Sequence, residues 1–230
     1  MDMKNTMFKS IQIQTRTGCN LKCPMCPLSK MTQPKKLMSK KLFNKILKDL
    51  DGFDGRVSLY LMNEPFLDER LREFVRLASK KLPKATINIS TNGTLTNPGE
   101  ILGFIEEGLS YSNVSCYTQK IYDKYSGYPG INAIDMVNYD YDYNNRGGNI
   151  DIGDGEVSGY CERPFTQMYI NAFGQSILCC SDYKFEVVMG DVNDETLEQI
   201  WNGDVYKEYR YKLSNNKRHE LKLCRTCNYP

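Results

Sequence analysis

Histidine is almost missing: the 230-residue chain has one, His219. A site that needs two or more imidazoles is excluded, and with it most transition-metal hydrolases. No apolar run approaches the roughly 18 residues that cross a bilayer, and the opening MDMKNTMFKS lacks a hydrophobic signal core. The expected setting is the cytoplasm, with no membrane partner. Net charge is only +2, with Lys and Arg interspersed among Asp and Glu, so neither a nucleic-acid stripe nor a polybasic membrane patch is expected. Repeats and low-complexity tracts are absent too. Cysteine is what the chain has, with nine residues. In a reducing compartment that number points to metal binding or catalysis rather than disulfides. An odd count also leaves at least one thiol unpaired.

The length suffices to bury one main core with an appendage. FKSIQIQ alternates as a strand, and RVSLYLM, ATINIS and YSNVSCY read as three more. Between them Leu42, Phe43, Ile46, Leu47 and Leu50 share a helix face behind a Ser39 cap. Leu71, Phe74, Val75, Ala78 and Leu82 mark a second helix, and Asn97-Pro98 opens a third. Strands and helices alternating at this length specify parallel βαβ units. From Gly127 to Tyr160 the pattern loosens into a Gly-, Asn- and Tyr-rich stretch with one more strand near AIDMVNY, so a complete barrel does not fit before Cys161. The expected fold is α/β, a partial TIM-like barrel over 1–150 with a small hairpin-and-helix appendage over 151–230. The hairpin turns at Phe173-Gly174, and helices follow at ETLEQIW and VYKEYRYKL.

Cys19, Cys23 and Cys26 stand in the pattern C-x3-C-x2-C, directly after the first strand. A closed zinc site wants four ligands, typically two pairs on separate turns, and no further cysteine follows until Cys116. Three thiolates suit a [4Fe–4S] cluster with one iron left open to a ligand that is not protein. A second group, Cys161, Cys179 or Cys180, Cys224 and Cys227, offers four thiolates, a set that suits zinc or an iron–sulfur cluster alike.

The C-x3-C-x2-C loop after the first strand of a βα series resembles the radical S-adenosylmethionine (SAM) superfamily. The resemblance implies that the open iron chelates SAM, whose reductive cleavage to methionine and a 5′-deoxyadenosyl radical starts the reaction by removing a substrate hydrogen atom. LYLMNEPFL is similar to the family's Gly-Gly-Glu-Pro segment, with Met62 and Asn63 in place of glycines, which implies that Asn63 and Glu64 hold the SAM ammonium. ISTNGTLT offers Thr91 and Asn92, VSCY offers Ser115 as a further SAM contact, and Met25 fits the apolar residue beside the adenine. The segment from Cys161 through CC-x-D, GDV and IW to CRTC is similar to the SPASM/twitch appendage. Too few cysteines are present for a full SPASM domain, which implies the twitch type with one auxiliary [4Fe–4S] cluster. Cys179 is taken as its ligand because neighbouring strand residues face opposite ways.

Similarity in size and cysteine layout to small twitch enzymes implies oxidation of a secondary alcohol of a sugar or amino-cyclitol, as in antibiotic assembly. The expected reductant is a flavodoxin- or ferredoxin-type protein. A radical epimerase, with Cys116 or Cys180 as hydrogen donor, is the second reading. A peptide maturase is the third, disfavoured by the eighteen residues before Cys19. A non-catalytic zinc or iron–sulfur protein is the fourth. Arg146 and Asp182, with Tyr139, Tyr141 and Tyr143, are candidate substrate contacts.

Overall fold

The computed structural model describes residues 7–138, 144–151 and 159–229. One eight-stranded sheet runs through the molecule in the order β5-β4-β3-β2-β1-β6-β7-β8. The first five strands are β1 (Ser10–Ile13), β2 (Arg56–Ser58), β3 (Thr86–Thr91), β4 (Tyr111–Cys116) and β5 (Ile131–Asp135). They pair in parallel. The sheet is open rather than closed, as expected of a partial barrel. Four helices fill its crossovers: α1 (Lys40–Asp49), α2 (Leu71–Lys81), α3 (Pro98–Glu106) and α4 (Gln119–Tyr125). Their starts are fixed chemically: Ser39 Oγ accepts from Leu42 N at 3.1 Å, and Asn97 Oδ1 from Glu100 N at 3.0 Å. The apolar face read for α1 lies in the core, with Phe43 and Ile46 at 0% exposure.

The appendage does not stand apart. After the short α5 (Arg163–Thr166), β6 (Gln167–Ile170) pairs in parallel with β1, on the side β2 leaves free. Only then does the chain reverse into β7 (Gln175–Ile177) and β8 (Val188–Asp191), both antiparallel. The hairpin turn falls at Gly174, whose φ of +98° and close approach to Asn193 leave no room for a side chain. Helices α6 (Leu197–Trp201) and α7 (Asp204–Ser214) return the chain to the barrel. Trp201 meets Phe8 edge-on at 5.3 Å, and Lys45 of α1 donates to the Glu195 carbonyl at 2.6 Å. The core is therefore continuous from β1 to α7. No helix among the described residues is long and apolar enough to cross a membrane.

Candidate functional site

In a parallel sheet, loops at the carboxyl ends of the strands carry the site. Here they enclose a cavity of about 180 Å³ walled by Cys19, Cys23 and Cys26 after β1, Asn63 and Glu64 after β2, Thr91 and Asn92 after β3, and Ser115 on β4. The cysteine loop begins with a left-handed residue, Gly18, at φ +98°. Its carbonyl accepts from Glu64 N at 3.0 Å, which ties the loop to the end of β2. Within the loop Cys26 N donates to the Cys23 carbonyl at 3.0 Å, and Ser29 Oγ to the Cys26 carbonyl at 2.7 Å. Burial pushes the Cys19 and Cys23 thiols up, and neighbouring thiolates of the loop add to the shift.

Glu64 is a buried knot. Its carboxylate accepts from Thr91 Oγ1 at 2.7 Å, from Asn92 N at 2.8 Å and from Phe66 N at 3.1 Å. Burial pushes this carboxyl above its usual range, and the three donors pull against that. The amide of Asn92, so positioned, reaches Cys19 Sγ at 3.8 Å and Asn20 Oδ1 at 2.9 Å. Glu64→Gln turns an amide N–H toward Asn92 N–H, so it should cost about 1–3 kcal/mol of stability. Urea unfolding followed by circular dichroism checks this.

Asn63 supplies what the knot does not. Its Oδ1 accepts from Leu61 N at 3.1 Å, while its buried Nδ2 has no partner. An unsatisfied donor on the cavity wall fits an anionic ligand group such as a carboxylate. Ser115 faces the cavity and Cys116, the next residue, does not. Cys116 is 0% exposed, packed with Ile101, Val114, Tyr125 and Ile131 on the other side of β4. The strand alternation that brings Ser115 to the cavity takes Cys116 away from it, which removes Cys116 as a hydrogen donor. Met25 is half-buried and lies outside the cavity wall.

The second thiol group gathers around Cys224. Burial pushes its thiol up to about 12, and it senses Cys161 and Cys227. Cys179, buried at 8% exposure, senses Cys224 as well as Cys180. Both residues lie beyond the end of β7 at Ile177, so a turn and not strand alternation separates them. Cys180 is half-buried. Arg163, 8% exposed, stacks on Tyr229 at 3.4 Å and senses both Cys179 and Cys180. Arg218 holds the cysteine-bearing tail: Nε donates to the Cys224 carbonyl at 3.1 Å, and Nη2 to those of Cys227 and Tyr229 at 2.8 Å each. Among the described residues, no three His, Cys, Asp or Glu side chains converge as a single metal ion requires. The three thiols of the first loop wall the cavity, and sulfur-only donor sets of this kind suit iron–sulfur clusters.

Asp182 does not contact the first cavity. Its carboxylate is spent on Glu186 N at 2.9 Å and Val187 N at 2.8 Å, closing the turn before β8, so the expectation of a substrate contact there is corrected. Arg146, at φ +50°, is half-buried and near enough to Tyr183 for its charge to be felt. Tyr139, Tyr141 and Tyr143 lie outside the described residues. The sequence reading missed Tyr183 itself. It follows the CCSD turn, holds Gln33 Nε2 with its carbonyl at 3.0 Å, and brings its hydroxyl against Cys26. Arg163 and Arg218 were missed as well. Arg163 follows Cys161 by two residues and Arg218 stands in a polar run, and neither position reveals burial.

Comparison with known proteins gives two family matches: the radical SAM superfamily over residues 13–128, and the iron–sulfur cluster-binding SPASM domain over 161–228. A curated relative, the S-adenosyl-L-methionine-dependent 2-deoxy-scyllo-inosamine dehydrogenase of Niallia circulans, is 25% identical over 96% of this chain and 93% of its own length. The crystal structure of BtrN in complex with AdoMet and 2-DOIA superposes with a TM-score of 0.88, 25% identity, and coverage of 97% of this chain and 94% of that one. Streptococcus suis SuiB bound to precursor peptide SuiA shares the fold at a TM-score of 0.62 and 14% identity, covering 97% of this chain and 70% of that one.

Proposed function

Because the chain belongs to the radical SAM superfamily, we propose that it is an alcohol dehydrogenase of the radical type, acting on an amino-cyclitol or related small sugar. Its radical SAM domain binds a [4Fe–4S] cluster and its SPASM domain a further cluster. When bound, SAM and the first cluster would supply removal of a hydrogen atom from a carbinol carbon; the hydroxyl proton would pass to solvent and the remaining electron to the second cluster, for a net loss of two hydrogens. The carrying observation is that Tyr183, in the turn after Cys179 and Cys180, lines the first cavity and stands against Cys26. In this reading Cys19, Cys23 and Cys26 hold the first cluster, and Cys161, Cys179, Cys224 and Cys227 the second. Asn63 Nδ2 donates to the SAM carboxylate, Thr91, Asn92 and Ser115 line its seat, and Glu64 sets the loops around it. Arg146 and Tyr183 face the substrate. The 1–150 and 151–230 division marks the two cluster-bearing parts, which share one sheet. A low-potential flavodoxin or ferredoxin supplies electrons, and a reducing cytoplasm suits the nine thiols.

The likeness to the Niallia circulans dehydrogenase and to BtrN supports this substrate class. Anaerobic reconstitution with SAM, dithionite and 2-deoxy-scyllo-inosamine tests it. The expected result is 5′-deoxyadenosine together with a ketone two mass units lighter than substrate. A product of unchanged mass in H2O that is one mass unit heavier when the reaction runs in D2O would instead establish an epimerase, with Cys180 as the donor.

A further inference from the structure

The near-neutral total charge conceals a local asymmetry that the chain-wide reading overlooked. Residues 3–48 contain eleven Lys and Arg and not one Asp or Glu. This segment carries the cysteine loop and wraps its outer side. There it borders a second cavity, of about 760 Å³, rimmed by Arg16, Lys22, Lys35 and Lys36, with Leu37 also on its wall. Cys19, Leu21 and Leu28 belong to both cavities, so the loop is a partition with the SAM-type cavity on one side and a basic basin on the other. Lys22, Lys35 and Lys36 are exposed and form no ion pair among the described residues, although nine such pairs occur elsewhere. Leu37 is 54% exposed beside them.

We propose that this basin is the docking surface for an acidic one-electron carrier protein, which delivers its electron through the Cys19 wall. The proposal rests on the reading that Cys19, Cys23 and Cys26 hold a reducible cluster. Lysines without a carboxylate partner, of which Lys36 lies 5.5 Å over the Phe173 ring, around an exposed leucine match a carrier whose redox group lies at an acidic face: charge steers the encounter, and the apolar patch gives a desolvated centre. A nucleic acid is a poorer fit, because the charge is gathered around one basin rather than drawn out along a phosphate-tracking stripe. The step is balanced: one electron leaves the reduced carrier, the cluster gains it, and no atom is transferred.

Lys35 and Lys36 lie outside the cysteine loop, so K35E/K36E separates docking from chemistry. Formation of 5′-deoxyadenosine is measured with two reductants, a reduced acidic flavodoxin and dithionite-reduced methyl viologen. With flavodoxin the variant should lose about tenfold in rate at low ionic strength, and the wild-type rate should fall as salt rises. With viologen the two proteins should match, and the control K80E/K84E, on and after α2, should behave as wild type with both. An unchanged flavodoxin-driven rate in K35E/K36E, or an equal loss in the control, overturns the docking surface while viologen-driven turnover upholds the cluster. Absence of viologen-driven SAM cleavage in the wild type overturns the cluster reading, and the proposal falls with it.

Discussion

Exchanging Cys19, Cys23 and Cys26 together for alanine should abolish SAM cleavage while leaving the fold and half the iron in place. The cavity they wall also holds Asn63, Glu64, Thr91, Asn92 and Ser115, but none of these supplies an electron. Without the three thiolates there is no cluster to reduce, and binding alone accomplishes nothing. The protein should tolerate the change, because Cys19 is exposed and the other two are only half-buried. Loss of partly exposed sulfurs leaves no large cavity, so unfolding free energy should shift by less than about 1 kcal/mol. Iron should fall from about eight to about four atoms per chain, since the second thiol group gathers around Cys224 beyond the barrel. Iron and sulfide analysis, with 5′-deoxyadenosine assayed by chromatography, checks both halves. Retention of full iron, or any reductive cleavage of SAM, would contradict the assignment of the loop.

Local chemistry was legible where one element decides the outcome. The Ser39 and Asn97 caps, the apolar faces of α1 and α2, the Gly174 turn and the outward-inward alternation of Ser115 and Cys116 all follow from spacing. Long-range pairing was not. Nothing in QMYI reveals that β6 joins β1 in parallel, because the register depends on which sheet edge α5 reaches. RVSLYLM reads as seven residues of strand, yet β2 ends at Ser58. From there Leu61 N turns to Asn63 Oδ1, and the freed backbone becomes the wall of the cavity. Site residues divide in the same way. The cysteines stand out by spacing, but the work of a carboxylate depends on its donors. Asp182 closes a turn, and Glu64 joins the loops after β2 and β3 before it can act on any ligand. Tyr183 became visible only once the turn after Cys179 was placed against Cys26.

Substituting Cys179 and Cys180 one at a time should give opposite outcomes, and the contrast tests the second cluster directly. Cys179 is buried and shares its electrostatic environment with Cys224, whereas Cys180 is half-buried. Cys179→Ala should therefore lose the second cluster, leaving about four irons, while the first cluster still cleaves SAM. The substrate radical then has no acceptor, so 5′-deoxyadenosine should accumulate with the ketone reduced at least about a hundredfold, a barrier penalty near 3 kcal/mol. Cys180→Ala should keep all its iron and the coupling of 5′-deoxyadenosine to ketone near one to one. Should Cys180→Ala lose the iron instead, the two neighbours exchange roles. Should it keep the iron but no longer form product, while the wild type incorporates solvent deuterium, the thiol is a hydrogen donor and the enzyme an epimerase. The half-burial of Cys180, three residues before the cavity-lining Tyr183, is what makes that outcome chemically accessible, and the burial of Cys179 with Cys224 is what favours the dehydrogenase.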